Sequence, residues 1–269
     1  MSDSHWIKAY ERWALIYEEI MEGDLETKKK REDRTKEEIV AITQIMKKRK
    51  LEVQDSILLD IGGGTGRLAI PLSKQVKNLI LAEPSKPMLD IAKSKFKVMR
   101  NENFSFLQEG FLELSLNDET VDVAIAFNDP FQYLLTLEEQ IKALENVKRV
   151  LKKKGVIILD NVNFFSLLLR VEHPKPTFWE TEKHKVSRFI HYKVQAYKGV
   201  WNHIEDIFIE DKETGEIEHF ESIHLLKNIS ATELILLTEK VGFENIRLYP
   251  GTNLDAEEGT RFLLVAQKP

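Results

Sequence analysis

The chain of 269 residues contains no cysteine. That single absence excludes disulfides, thiolate-bound metals and cysteine nucleophiles together, so any chemistry rests on oxygen and nitrogen groups. Long apolar runs are also missing, and nothing approaches the roughly 18 consecutive apolar residues that crossing a bilayer requires. The N-terminus is polar and then amphipathic, without the basic-then-apolar order of a secretory signal. A cytoplasmic protein with no membrane partner is therefore expected. Nor is there an excess of positive charge: 39 basic against 44 acidic residues leave a formal −5. Such a balance gives no general attraction to phosphate backbones, and nucleic acid is not expected as a partner. No Pro/Gly/Ser-rich linker, internal repeat or low-complexity segment divides the chain, which points to one domain over 1–269.

What is present begins with a glycine-dense turn. Ile57-Leu58-Leu59 reads as a buried strand, and Asp60-Ile61-Gly62-Gly63-Gly64-Thr65-Gly66 follows it before Arg67-Leu68-Ala69-Ile70 opens a helix. Glycines suit a strand that must reverse into a helix while its backbone approaches a ligand that a Cβ would block. Glu83 comes 21 residues after Gly62, at the end of a second apolar strand. A carboxylate there can accept hydrogen bonds from both ribose hydroxyls of an adenosine.

Around this turn the pattern alternates. Thr35 to Glu38 reads as a capping box opening a helix with Ile39, Ile42, Ile45 and Met46 on one face. Strands are expected at 56–60, 78–83, 104–108, 121–127 and 155–160, and helices at 66–75, 85–98 and 137–151, with a kink at Pro71. Such alternation implies a doubly wound, mostly parallel α/β sheet. From 162 to 228 the period becomes two, with strands at 186–197, 200–210 and 217–226, which reads as an inserted antiparallel meander. Ser230 to Glu233 is a second capping box for a helix ending before Gly242, and strands at 244–249 and 261–267 close the fold as an antiparallel pair.

In this setting the residues resemble the class I S-adenosylmethionine-dependent methyltransferases, and within them the small-molecule branch that includes glycine-type and amino-sugar N-methyltransferases. The likeness covers roughly 56–160 and 230–268. Asp60 to Gly66 is similar to the family's first motif, Ala82-Glu83-Pro84-Ser85-Lys86-Pro87-Met88-Leu89 to its second, and Val150-Leu151-Lys152-Lys153-Lys154-Gly155 to its approach to the fifth strand. The resemblance implies a Rossmann-like seven-stranded sheet, S-adenosyl-L-methionine as cofactor, and methyl transfer to N or O of a small-molecule acceptor. It implies cofactor contacts at Asp60, Gly62, Gly64, Glu83, Pro84 and Met88. Where the family often has Gly-Asp after the third strand, this chain reads Gln108-Glu109-Gly110-Phe111. Adenine recognition then falls to Glu109 or to the backbone at Gly110 and Phe111. Asn128-Asp129-Pro130-Phe131 partly resembles the Asn-Pro-Pro-Tyr signature of enzymes that methylate planar amines, with Asp in place of the first Pro. That assigns Asn128 to the cofactor and Asp129 to catalysis. RNA or protein methylation and a cofactor-binding regulator without turnover stay open as alternatives. A nicotinamide dehydrogenase fits poorly, because Gly62, Gly64 and Gly66 do not make Gly-x-Gly-x-x-Gly.

Trp6, Tyr10, Trp13 and Tyr17 fall on one face of an N-terminal helix, read either as core or, within a helical lid over 1–50, as a site wall. Tyr17-Glu18 resembles the family's Tyr-Asp pair, which makes Tyr17 a candidate for both cofactor binding and catalysis. Six of the seven histidines, His173 among them, lie in the insertion. No His-x-His or His-x-x-x-His pair occurs, so no metal site is expected. A two-residue turn at Lys198-Gly199 would set His191 opposite Asp206. His191 is thus either the acceptor's general base or half of a surface pair. Phe178, Trp179 and Trp201 are expected as apolar pocket walls or as packing for the meander. Monomer and homodimer both remain open.

Overall fold

The computed structural model describes residues 10, 13, 14, 16–20, 25–99, 103–164 and 176–269. Trp6 and His173, named above, lie outside the described residues. Contacts divide the chain into two compact units, one comprising 1–34 and 170–228 and the other 35–169 and 229–269.

The larger unit is built on a seven-stranded sheet: β1 (Ile57–Ile61), β2 (Asn78–Ala82), β3 (Phe104–Leu107), β4 (Val121–Ala126), β5 (Leu151–Val162) and the closing pair 244–249 and 261–267. Numbered β10 and β11 in chain order, the closing pair gives the spatial order β10-β11-β5-β4-β1-β2-β3. β1 through β5 are parallel to their neighbours, whereas β11 runs antiparallel to both β5 and β10. The order reverses between β1 and β4. At such a switch point the loops leaving the carboxyl ends of the strands diverge and open a crevice.

Alternation along the central strands explains the layers. Leu59 and Ile61 face one core with Ala143, Leu144 and Val147 of α4 (Leu137–Val150) and with Leu234 and Leu237 of α5 (Ala231–Lys240). Leu58 faces the other, with Ile42, Ile45 and Met46 of α1 (Leu25–Lys48) and Leu89, Ala92 and Phe96 of α3 (Lys86–Val98). Both faces of the sheet are covered, so its strands read as near-continuous apolar runs. The expected doubly wound sheet is present.

Two local expectations are corrected. Thr35 is not a cap: α1 runs through it from Leu25 to Lys48, and Thr35 Oγ1 and Glu38 Oε2 instead accept from Arg67 at 3.0 and 2.5 Å. A cation from another element outcompetes the local backbone for both side chains. The helix expected at 66–75 is reduced to α2 (Ala69–Leu72) flanked by turns. Ile70, Leu72 and Ser73 N–H still reach the carbonyls four residues back, but Pro71 has no N–H to give and interrupts the ladder.

The smaller unit contains an antiparallel sheet in the order β6 (Thr177–Glu180), β7 (His184–Gln195), β8 (Val200–Asp211), β9 (Ile217–Lys227). One face of that sheet presents Trp179, Val186, Ile207 and Phe220 to Trp13, Ile16 and Ile20. The strand β6 has no period-two signal of its own beyond four residues, and it was not foreseen.

Candidate functional site

The loops after β1, β2, β3 and β4 meet. Gly62 (φ +72°) lies so close to the loop after β4 that a Cβ on it would stand 2.7 Å from Pro130 Cβ. Gly64 (φ +55°) is the reverse case: an added Cβ meets nothing within 4 Å, so its backbone faces open space. Gly64 N–H donates to Glu83 Oε2 (3.0 Å) and Ser85 N–H to Glu83 Oε1 (2.8 Å), which ties the first turn to the second. Gly110 then sits against Pro84, at ordinary contact distance from its Cγ. Asp60, Gly62, Gly64, Glu83, Pro84, Gly110, Asn128 and Asp129 thus belong to one row of adjoining loops at the carboxyl edge of the sheet.

The charges in this row are unusual. Asp60 is 2% exposed, and its Oδ2 has no hydrogen-bond partner among the described residues. Burial pushes its carboxyl up to about 7, with Arg67 pulling the other way and Glu83 and Glu38 reinforcing the rise. Burial also raises Glu83 to about 7, against the two N–H bonds it accepts. Two acids are therefore poised near neutrality beside a bare stretch of backbone. With one N–H on each oxygen, Glu83 keeps lone pairs for further donors.

After β4 the backbone is strained. Asn128 and Asp129 both hold positive φ (71° and 69°), a conformation that costs side-chain-bearing residues about 1 kcal/mol or more each. The structure that imposes it is a buried ion cluster. Arg261 donates to Asp160 through Nε (2.8 Å) and Nη2 (2.6 Å) and to Asp129 Oδ1 (2.8 Å). Asn128 N–H donates to Asp160 Oδ2, and Val162 N–H to Asp129 Oδ1 at 2.6 Å. Burial raises the Asp129 carboxyl, the neighbouring Asp160 adds to the rise, and Arg261 opposes it. Burial works against the Arg261 charge too, yet the two carboxylates hold it above its ordinary value. One guanidinium thus serves two acids.

Other candidates stand differently. Met88 is buried in the first turn of α3. Glu109 Oε2 accepts from Ser115 N–H (2.8 Å), inside its own loop. Phe111 is a core residue, edge-on to Phe131 at 5.4 Å. Tyr17 and His191 belong to the smaller unit. Tyr17 packs against its core, edge-on to Trp13, with the Arg31 guanidinium 5.6 Å from its ring.

His191 is not directly opposite Asp206, which corrects the expected register. The connection is a short helical turn, Ala196–Lys198, followed by Gly199 in the left-handed region, so His191 faces Ile204 and Asp206 faces Phe189. A four-residue loop moves the register by two and keeps both groups on one face. His191 Nε2 still reaches Asp206 Oδ2 diagonally at 3.3 Å, and His219 Nε2 stands 3.0 Å from Asp206 Oδ1. Phe178 and Trp179 border a groove of about 680 Å³ together with Phe189, Phe208 and Ile217. Trp201 is buried beside Tyr192 and His203 on the other face.

Sequence reading missed Arg67, Asp160 and Arg261. Asp160 had a signal, since it ends an apolar strand as Asp60 does. Arg261 had none, because its partners are more than 100 residues away.

The donor set suits an adenosyl cofactor with a ribose diol: Glu83 offers carboxylate lone pairs, Asp60 Oδ2 is an orphaned buried acceptor, and Gly64 leaves room for close approach. Comparison with known proteins agrees. Residues 58–155 match the family model described as a methyltransferase domain. A ubiquinone/menaquinone biosynthesis C-methyltransferase of Zymomonas mobilis is 33% identical over 99 residues, 36% of this chain and 39% of that protein. The chain spans less than half the length of this and similar curated relatives. Among solved structures, an S-adenosylmethionine-dependent methyltransferase from Clostridium acetobutylicum superposes with a TM-score of 0.74 at 19% identity, over 96% of this chain and 98% of that one. The sugar N-methyltransferase KedS8 from Streptoalloteichus gives 0.70 at 18% identity, over 86% of each chain. Residues 58–155 thus match a methyltransferase domain, and the chain as a whole shares the fold of these S-adenosylmethionine-dependent methyltransferase structures.

Proposed function

We propose that this chain is a cytoplasmic S-adenosylmethionine-dependent methyltransferase acting on nitrogen or oxygen of a small-molecule acceptor. The observation that carries the reading is the tie between Gly64 and Glu83 beside the unpartnered Asp60 Oδ2, at the point where the strand order reverses. In this reading the backbone at Gly62 and Gly64 lies along the cofactor. Glu83 accepts from the ribose hydroxyls, with Asp60, Pro84 and Met88 beside them, while Glu109 or the backbone at Gly110 and Phe111 takes the adenine amine and Asn128 closes the far side.

When bound, S-adenosyl-L-methionine supplies a methyl group on a sulfonium leaving group, and a protein assists such a displacement mainly by alignment and by excluding water. The strained pair Asn128-Asp129, fixed by Arg261 and Val162 N–H, provides a rigid wall for that alignment. An amine acceptor has a free pKa near 10 and must lose a proton before its lone pair is available. Asp129 and His191 are the groups we assign to that proton, and Tyr17 is assigned to steady the cationic centre.

Calorimetry with S-adenosyl-L-methionine, followed by transfer of a labelled methyl group, tests the proposal. Binding followed by transfer to a small acceptor is expected. Absence of binding removes the cofactor reading, and binding without transfer to any small acceptor, RNA or protein leaves a regulator. His191→Ala should abolish turnover while leaving cofactor affinity intact. An unchanged rate removes His191 from the chemistry.

A further inference from the structure

Next to the strained loop, three buried polar atoms have no hydrogen-bond partner among the described residues: Oδ1 and Nδ2 of Asn161, and Oε1 of Gln132. Both side chains are 0% exposed. They share one neighbourhood, because the residues on either side of Asn161 are bonded to the loop that carries Gln132. Asp160 accepts from Asn128 N–H, Val162 N–H donates to Asp129, and the Val162 carbonyl accepts from Gln132 Nε2 at 3.4 Å. Asn128 is exposed and Val162 half-buried, so solvent reaches this corner within one residue of Asn161 along β5.

An unpaired buried amide group costs about 1–3 kcal/mol, and more than 90% of buried polar groups avoid that cost by pairing. Exchanging O and N in Asn161 changes nothing, since neither atom is paired. Nothing in the packing of the core requires polarity here, as Ile157 and Leu159 lie on the same face of β5.

We propose that Asn161 and Gln132 are specificity-determining groups for the methyl acceptor and that they select an amine over an alcohol. This rests on the methyltransferase reading above and deepens it by choosing nitrogen. Two amide oxygens match the two N–H bonds of a neutral primary amine and leave its lone pair uncommitted. A hydroxyl has one hydrogen and leaves one oxygen unpaired, and a site built to pair a substrate's N–H rejects an analogue that lacks it. In the transfer, the amine lone pair forms the N–C bond, the S–C electron pair stays with sulfur, and the resulting ammonium gives its proton to water. Asn161 Nδ2 remains as a donor for a second oxygen or nitrogen of the same acceptor.

The test uses the full chain as wild type, Asn161→Leu and Gln132→Met. Thermal unfolding without ligand comes first, because it needs no acceptor. Removing unpaired buried polarity should raise Tm in at least one variant by about 2–4 °C. Calorimetry with S-adenosyl-L-methionine should give a Kd within about twofold of wild type. Labelled-methyl transfer is then read on benzylamine, 2-aminoethanol and glucosamine beside benzyl alcohol, ethylene glycol and glucose. Wild type should favour the amines at least tenfold, and both variants should lose that preference. A fall in Tm in both variants shows amides bonded within the protein and overturns the proposal, as does equal transfer to matched alcohols. If no compound is methylated, the Tm pair decides. Failure of wild type to bind the cofactor sinks the methyltransferase reading and is distinguished from failure of the amide pair.

Discussion

Glu83 shows how a single carboxylate can hold a loop and remain available to a ligand. Its two oxygens each take one N–H, from Gly64 and Ser85, and burial lifts its pKa to about 7. Accepting hydrogen bonds from a diol favours the ionised form, so cofactor affinity should strengthen as pH rises from 6 to 8, by at most about tenfold per unit below 7. Calorimetric Kd values across that range check this, and a flat profile removes Glu83 from the diol. Glu83→Gln keeps the shape and loses the charge. Hydrogen bonds to charged groups are worth about 1.5–3 kcal/mol, so we expect affinity to fall about 10- to 100-fold and its pH dependence to flatten.

At the scale of elements, the glycine turn and the helix caps carry different kinds of information. Gly62 is bound to its place twice over, by a positive φ and by Pro130 on the neighbouring loop. Gly62→Ala therefore strains the backbone and forces β1 and β4 loops apart. A loss of about 2 kcal/mol in denaturant unfolding is expected, together with weakened cofactor binding. Thr136 caps α4 with a complete capping box, its Oγ1 accepting from Glu139 N–H while Glu139 returns the bond. Thr136→Ala should cost about 1 kcal/mol with cofactor affinity unchanged, which separates a stability effect from a site effect. The Ser230 box of α5 was legible because both of its side chains stay on the local backbone, Ser230 Oγ accepting from Glu233 N–H and Glu233 Oε2 from Ser230 N–H. The same pattern at Thr35 misled because Arg67 captures both partners from a distance. Local signals hold where no distant group outbids them.

For the whole molecule, opposing carboxylates set the dependence of stability on pH. Asp60 and Glu83 bind protons more tightly in the folded chain than in the unfolded one, so between about pH 4 and 7 the folded state holds more protons and stability falls as pH rises. Glu205 runs the other way. Burial works against its charge, but the His203 bond and the Arg188 guanidinium outweigh it and hold the carboxyl below its ordinary value. Its contribution is complete above about 4.5 and is lost as pH falls through the folded value. Tm should therefore peak near about pH 4.5, where the Glu205 contribution is complete and most of the decline from Asp60 and Glu83 still lies ahead. Asp60→Asn should remove part of the decline between about pH 4 and 7, over which ionisation of the buried carboxyl costs roughly 4 kcal/mol in total. A variant as sensitive to rising pH as its parent would sink this assignment.

The sequence alone determined the order of strands and helices, the doubly wound sheet, the antiparallel insertion and the glycine turn with its distant acid. Each of these depends on contiguous residues: an apolar run, a glycine needed at positive φ, an acid at a strand end. Tertiary structure alone decided what those groups meet. It placed Arg261 between Asp129 and Asp160, shifted His191 two residues from its expected partner, turned Glu38 toward Arg67, and left Asn161 Oδ1 and Nδ2 and Gln132 Oε1 buried without partners among the described residues. Pairings across 100 residues follow from strand register and loop length, and neither leaves a periodic trace in the chain.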